Sequence, residues 1–209
     1  VGSIAHSNFF ILQKNSLMKI LFTFFILALL TFLACNNAVT PLSEDQKAAY
    51  MRDGKNITLM TFSSLSARLG KAMKEKGVQG AVKYCNVAAL PLTDSLAQLQ
   101  NVSIKRTSLL LRNPENAPTE DEKNMLLAYQ AQDKAGSGLV PVVQQVEDGV
   151  VKFFAPIRMM EVCQKCHGTI GETMQEEDYV YIKSLYPEDK ATGFKEGDLR
   201  GMWSITFQR

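Results

Sequence analysis

The run Cys163-Gln164-Lys165-Cys166-His167 constrains this chain more than any other feature. Two thiols three positions apart share one side of a helical turn, so both can form thioethers with the two vinyl groups of one porphyrin. The histidine that follows then lies under the ring and can ligate iron as the proximal ligand. The spacing predicts one covalent haem c, with Cys163 and Cys166 as attachment points and His167 as a metal ligand. Two other uses of the pattern fit less well. A thioredoxin-like dithiol belongs just after a first strand, whereas this one follows an expected hairpin far along the chain. A structural zinc site needs four ligands. Cys85 would have to complete the set, and the adjacent Cys166 and His167 are poor simultaneous ligands for one ion.

Covalent haem attachment takes place on exported polypeptides, and the amino-terminal region reads as an export signal. Met18-Lys19 precedes an apolar run over residues 20–34 that ends in a small residue before Cys35, the pattern of a secretory signal. The run is shorter than the roughly 20 apolar residues that span hydrocarbon. Its tail, Phe32-Leu33-Ala34-Cys35, resembles a bacterial lipobox, which makes Cys35 the acylated residue. Asn36 in place of Asp points to the outer rather than the inner membrane. The expected organisation is over-extended translation at 1–17, a lipoprotein signal at 18–34, a membrane tether at 35–44 and one haem domain at 45–209. The expected location is the bacterial cell envelope, facing the periplasm or on the outer membrane. On this reading His6 lies upstream of the true start, and His167 is the single histidine of the mature chain.

Charge excludes one broad class of function. The chain has 23 Lys and Arg against 21 Asp and Glu, and Lys14 and Lys19 are the only charges before Cys35, so the remainder is neutral. Nucleic-acid binding needs clustered positive charge. At 209 residues and 46% apolar, the chain has material for one sizeable core.

Periodicity supplies the elements. Ser43-Glu44-Asp45-Gln46 has capping-box spacing and opens a helical stretch, with Gly54 as an expected interruption. Met60, Leu65, Leu69 and Met73 continue at helical intervals until Gly77. Val78, Ala81, Val82, Cys85, Ala88 and Ala89 form the stripe of a second helix that Pro91 should bend or end. A strand is expected over 102–111, a loop over 112–118, and a helix after the capping box Thr119-Glu120-Asp121-Glu122. Runs at 139–146 and 150–157 flank an Asp-Gly turn and predict a hairpin. A short helix over 159–167, a helix over 179–185 and a last strand over 202–207 complete an α+β domain with a small antiparallel sheet.

The face of the iron opposite His167 has several candidate ligands: a Met (Met159, Met160, Met174 or Met202), a Lys, Cys85, or none. Cys85 is the only mature thiol without another assignment, and it falls on the apolar stripe of its helix; a buried Cys is equally an ordinary core residue. Arg106 and Arg112 are candidates for pairing the haem propionates, because the guanidinium fork matches a carboxylate.

Several separated stretches together resemble a known group. They are Ala81-Val82-Lys83-Tyr84-Cys85, Lys105-Arg106-Thr107-Ser108, Arg112-Asn113-Pro114-Glu115-Asn116-Ala117-Pro118, Ala155-Pro156-Ile157, Cys163 through Gly168, Tyr186 through Phe194 and Gly197-Asp198-Leu199-Arg200-Gly201. In this order, over about residues 45–207, the chain resembles the single-haem c-type domains of PAS-like fold long catalogued as a domain of unknown function. The resemblance implies a PAS-like antiparallel sheet flanked by helices, with iron held by His167 and a thiolate from Cys85. Leu90 separates Ala89 from Pro91 where the family tends to place Ala and Pro together. The implied function is a lipid-anchored module that senses redox state or a diatomic gas such as NO or CO, with periplasmic electron transfer as the alternative. Peroxidase-like catalysis would need acid–base help opposite the iron, and the mature chain has no second histidine to supply it, so an enzyme is not the expectation.

Overall fold

Ser43 caps the first helix as its spacing demands: its Oγ accepts from the Gln46 N–H and its own N–H donates to Gln46 Oε1. The structure is a computed structural model that describes residues 40–147 and 149–208. The signal segment, His6 and the proposed lipidation site Cys35 lie outside the described residues. Helix α1 spans Glu44–Gln100, broken by non-helical geometry at Lys76 and at Gly77, whose φ of 65° suits a residue without Cβ. The stop expected at Gly77 is therefore a kink between two helical segments. From Pro41 onward the chain forms one unit, and no described helix is long and apolar enough to cross a membrane.

Asn101, in the left-handed region at φ 51°, closes α1 and turns the chain into β1 (Val102–Thr107). There follow a 3-10 turn at Pro114–Asn116, α2 (Glu120–Lys134), the hairpin strands β2 (Val142–Glu147) and β3 (Val150–Arg158), a 3-10 turn at Glu161–Cys163, α3 (Gln164–His167), α4 (Glu176–Leu185) and β4 (Leu199–Gln208). The strands form one antiparallel sheet in the order β1-β4-β3-β2. The α+β class and the antiparallel sheet are as the sequence implied.

Both faces of the sheet are covered, as alternation along the strands dictates. Ile104, Phe153, Ala155, Trp203 and Ile205 meet Ile57, Leu65, Ala89 and Ala97 of α1. Phe154 and Met202 on the other face meet Leu126 and Tyr129 of α2. A third cluster, Val82, Met174, Ile182 and Tyr186, ties the second segment of α1 to α4.

Three local expectations are corrected. Gly54 does not interrupt α1. It is the point where helix and sheet approach most closely, since a Cβ there would lie 2.3 Å from Cγ of the fully buried Phe153. Pro91 does not end α1, which runs on to Gln100; Pro91 and Val87 are exposed, so water can take the carbonyl left without a donor. The strand expected over 102–111 stops at Thr107, where the Ser108 hydroxyl donates to the Arg200 carbonyl. Gly54→Ala is expected to lose up to about 2 kcal/mol, because overpacking of about 1–3 kcal/mol outweighs a helix-propensity gain of about 1 kcal/mol. Gly70, with nothing within 4 Å of an added Cβ, should gain from the same change. Urea unfolding of the two variants checks the contrast, and equal gains in both would contradict the close packing at Gly54.

Candidate haem site

Local chemistry alone makes only a short helix at the motif. The 3-10 turn Glu161–Cys163 passes directly into the four-residue α3. Gly168 ends it by turning to extended geometry, and only glycine fits there, since a Cβ would lie 2.0 Å from Thr173 Oγ1 and 2.5 Å from the Gln164 carbonyl oxygen. A single turn is unstable by itself, so tertiary contacts hold it. The Phe194 N–H donates to the His167 carbonyl at 3.0 Å, and the Gly193 N–H to the Gly168 carbonyl at 2.8 Å.

Arg112 is the centre of this lacing. Its Nε and Nη2 donate to the two oxygens of Asp189 at 3.2 and 3.1 Å, and Nη2 also donates to the Cys166 carbonyl at 2.6 Å and the Ala191 carbonyl at 3.3 Å. The Asp189 side chain is fully shielded from solvent and accepts a further bond from the Ala191 N–H. One ion pair thereby joins the loop after β1, the motif, and the loop before β4. The sequence offered Arg112 as a propionate partner; the structure gives two of its nitrogens to protein acceptors and leaves Nη1 out of these bonds.

The same carbonyl orients the histidine. His167 Nδ1 lies 2.8 Å from the Ala191 carbonyl oxygen. A carbonyl only accepts, so Nδ1 carries the proton and Nε2 is left with its lone pair, the tautomer of a metal-ligating imidazole. Burial, reinforced by the guanidinium charges of Arg112 and Arg200, holds its pKa well below the usual value and favours the neutral ring.

The thiols occupy two different surroundings. Cys166 packs at the edge of the Val82–Ile182 cluster, and burial pushes its pKa up to about 11, with Arg112 opposing. Cys163 packs against Met159, Ala191 and Phe194. Cys85, half-buried on the second segment of α1, is close enough to Cys166 for the two to feel each other's charge. Burial raises its pKa, while Arg106 and Arg112 pull it down. Of the methionine candidates, Met202 lies on the α2 face of the sheet and Met174 is enclosed in the cluster beside Cys166. Met159 packs beside Cys163, and Met160 is exposed.

Arg106 extends from β1 over the ring of Trp203, 5.8 Å from its centroid, towards Cys85, Tyr84 and Tyr186. Among the described residues it makes no side-chain hydrogen bond and no ion pair. Two buried polar atoms beside this region also lack partners, Tyr84 Oη and Arg200 Nε. No cluster of three or more His, Cys, Asp and Glu among the described residues is arranged around a single ion. The arrangement fits a porphyrin better: an oriented imidazole, two thiols on one turn, a third thiol on a facing helix, and guanidinium charge in excess of carboxylate.

Sequence reasoning singled out Cys85, Cys163, Cys166, His167, Arg106 and Arg112, and the structure brings these to one end of the sheet. It missed Asp189, Ala191, Phe194 and Arg200. All four lie within stretches that carried the family resemblance, but a main-chain carbonyl acceptor leaves no trace in residue type.

A family model described as Tll0287-like, Tll0287, matches residues 33–208. A solved structure, that of the cyanobacterial haem protein Tll0287, matches over 80% of this chain and 98% of its own, at 22% identity and a TM-score of 0.55. No curated protein matches the chain. The family expected from the sequence motifs is thus the kind of family found.

Proposed function

The chain belongs to the Tll0287-like family, and from that membership together with its sequence motifs we propose that it is an exported haem protein, anchored through Cys35 in the bacterial envelope, that senses redox state or a diatomic gas. Haem binding is the part that the family relationship supports directly. One haem c would be held through thioethers to Cys163 and Cys166, with His167 Nε2 on one side of the iron and Cys85 on the other, in a sheet read as PAS-like. The observation that carries this reading is the Ala191 carbonyl on His167 Nδ1, which keeps Nε2 free. When bound, haem supplies one-electron redox chemistry and an iron able to take small axial ligands.

The protein's own groups favour sensing. Cys85 stands on α1, whereas His167 and both thioether positions stand on the turn ending in α3. Release of Cys85 would leave the covalent end untouched, so one axial position can open without loss of the cofactor. To ligate, Cys85 must give up a proton that burial favours keeping, which makes its bond sensitive to the charge at the iron. Thiolate donation stabilises ferric iron and implies a low reduction potential. Electron transfer is the second reading, favoured by the exposed apolar side chains Met160, Val162 and Ile170 around the motif.

Cys85→Ala is the test of the ligand set. The ferric visible and EPR spectra are expected to lose their thiolate character while covalent haem is retained; unchanged spectra would remove Cys85 from the iron. Reduction under CO or NO then separates the two functions. Ligand replacement with tight gas binding supports a sensor, whereas six-coordinate spectra in both oxidation states with rapid electron exchange support a carrier.

A further inference from the structure

Strand β4 contains an irregularity that the sheet does not need. Along β3 the register runs without a slip from Val150↔Gln208 to Ile157↔Gly201, then jumps to Arg158↔Leu199, so Arg200 is an extra residue with no partner on β3. Such a bulge re-aims a side chain out of strict alternation and is enriched beside functional sites. Gly201, next to it, permits the close approach: a Cβ there would lie 2.3 Å from the Thr107 carbonyl oxygen.

The redirected guanidinium lies 5.2 Å from the ring centroid of Phe194, whose N–H holds the His167 carbonyl. Its Nη1 donates to the Leu110 carbonyl at 3.0 Å, and its Nε is buried without a partner. Arg106, Arg112 and Arg200 all bear on His167. Among the described residues only one carboxylate, Asp189, pairs with any of them, and it is committed to Arg112. The other buried carboxylate near the motif, Asp178, stands in the first turn of α4, where the helix N-terminus favours its charge. Two guanidiniums, Arg106 and Arg200, are left half-buried and without counter-charge among the described residues. A partly desolvated charge gains from a partner, and a haem carries two carboxylates.

We propose that Arg200, turned inward by the β4 bulge, and Arg106 are the two residues that bind the propionates of the haem, while Arg112 is a positioning residue committed to Asp189. The assignment rests on the proposed haem site and replaces the Arg106–Arg112 pair that residue type alone suggests. It also gives the bulge a purpose. Alternation alone would direct residue 200 elsewhere, and the extra residue brings a fork-shaped donor to the motif.

The test uses the full chain matured with its haem, after covalent haem in the parent has been established by mass and haemochrome spectrum. Midpoint potential and the propionate bending band in resonance Raman are read for Arg200→Gln, Arg200→Lys and Arg106→Gln. Arg158→Gln, which touches only the Asp133 pair and the Gly197 carbonyl, is the control. Loss of one positive charge near the iron should shift the oxidation equilibrium about tenfold towards the ferric state, about 59 mV for a one-electron couple. Arg200→Gln should show this shift and a moved propionate band, and Arg200→Lys should recover the potential but not the band. Arg106→Gln should behave as Arg200→Gln does, and since Arg106 makes no hydrogen bond with the described residues, its removal gives up only the contact over the Trp203 ring. Arg158→Gln should match the parent. A haem-loaded parent whose potential and band are indifferent to Arg200→Gln and Arg106→Gln overturns this assignment alone. A parent without bound haem overturns the reading beneath it as well.

Discussion

Asp189→Ala is expected to lower folding stability by about 3–5 kcal/mol, the usual loss when one partner of a buried ion pair is removed and its counter-charge stays inside. The Arg112 side chain is only 11% exposed, so water replaces the lost carboxylate poorly. The loss is also local to the haem site. Asp189 accepts the Ala191 N–H, and the Ala191 carbonyl orients His167. Without that fixed carbonyl the imidazole can turn, so the variant should show a heterogeneous ferric spectrum as well as a lower unfolding midpoint in urea. The double variant Asp189→Ala/Arg112→Ala should cost less than the sum of the two singles, because no orphan charge remains. Additive losses would mean that the pair does not act as a unit.

The second large effect is all-or-none. Cys163→Ser with Cys166→Ser, expressed in a host that matures c-type cytochromes, should yield protein from which acid–acetone extraction removes all haem, whereas the parent keeps it. Serine keeps the size of the side chain but cannot form the thioether. His167→Ala should instead keep covalent haem and lose its low-spin spectrum, because attachment and ligation belong to different residues of the same turn. Haem that remains attached in the double serine variant would remove the covalent assignment.

The sequence by itself determined the features written in local chemistry. The capping boxes at Ser43 and Thr119 start helices where their spacing says, because a cap involves residues three apart. The hairpin around Gly149 follows from β-branched runs on either side of a turn. The pairing of Cys163, Cys166 and His167 on one turn is a property of five consecutive residues.

Only the tertiary structure decided the outcomes where a local preference competes with packing. Gly54 would loosen an isolated helix, but contact with Phe153, about a hundred positions away, makes its missing Cβ an advantage. Pro91 weakens a helix by one hydrogen bond, and the packing of Leu92, Leu96 and Ala97 against the sheet outweighs that loss. The partners of Arg112 and His167 were illegible for a different reason. Asp189 is 77 residues from Arg112 along the chain, and the Ala191 acceptor is backbone, present at every position. The inward turn of Arg200 arises from a register mismatch between β3 and β4, two strands that meet only once the sheet has formed.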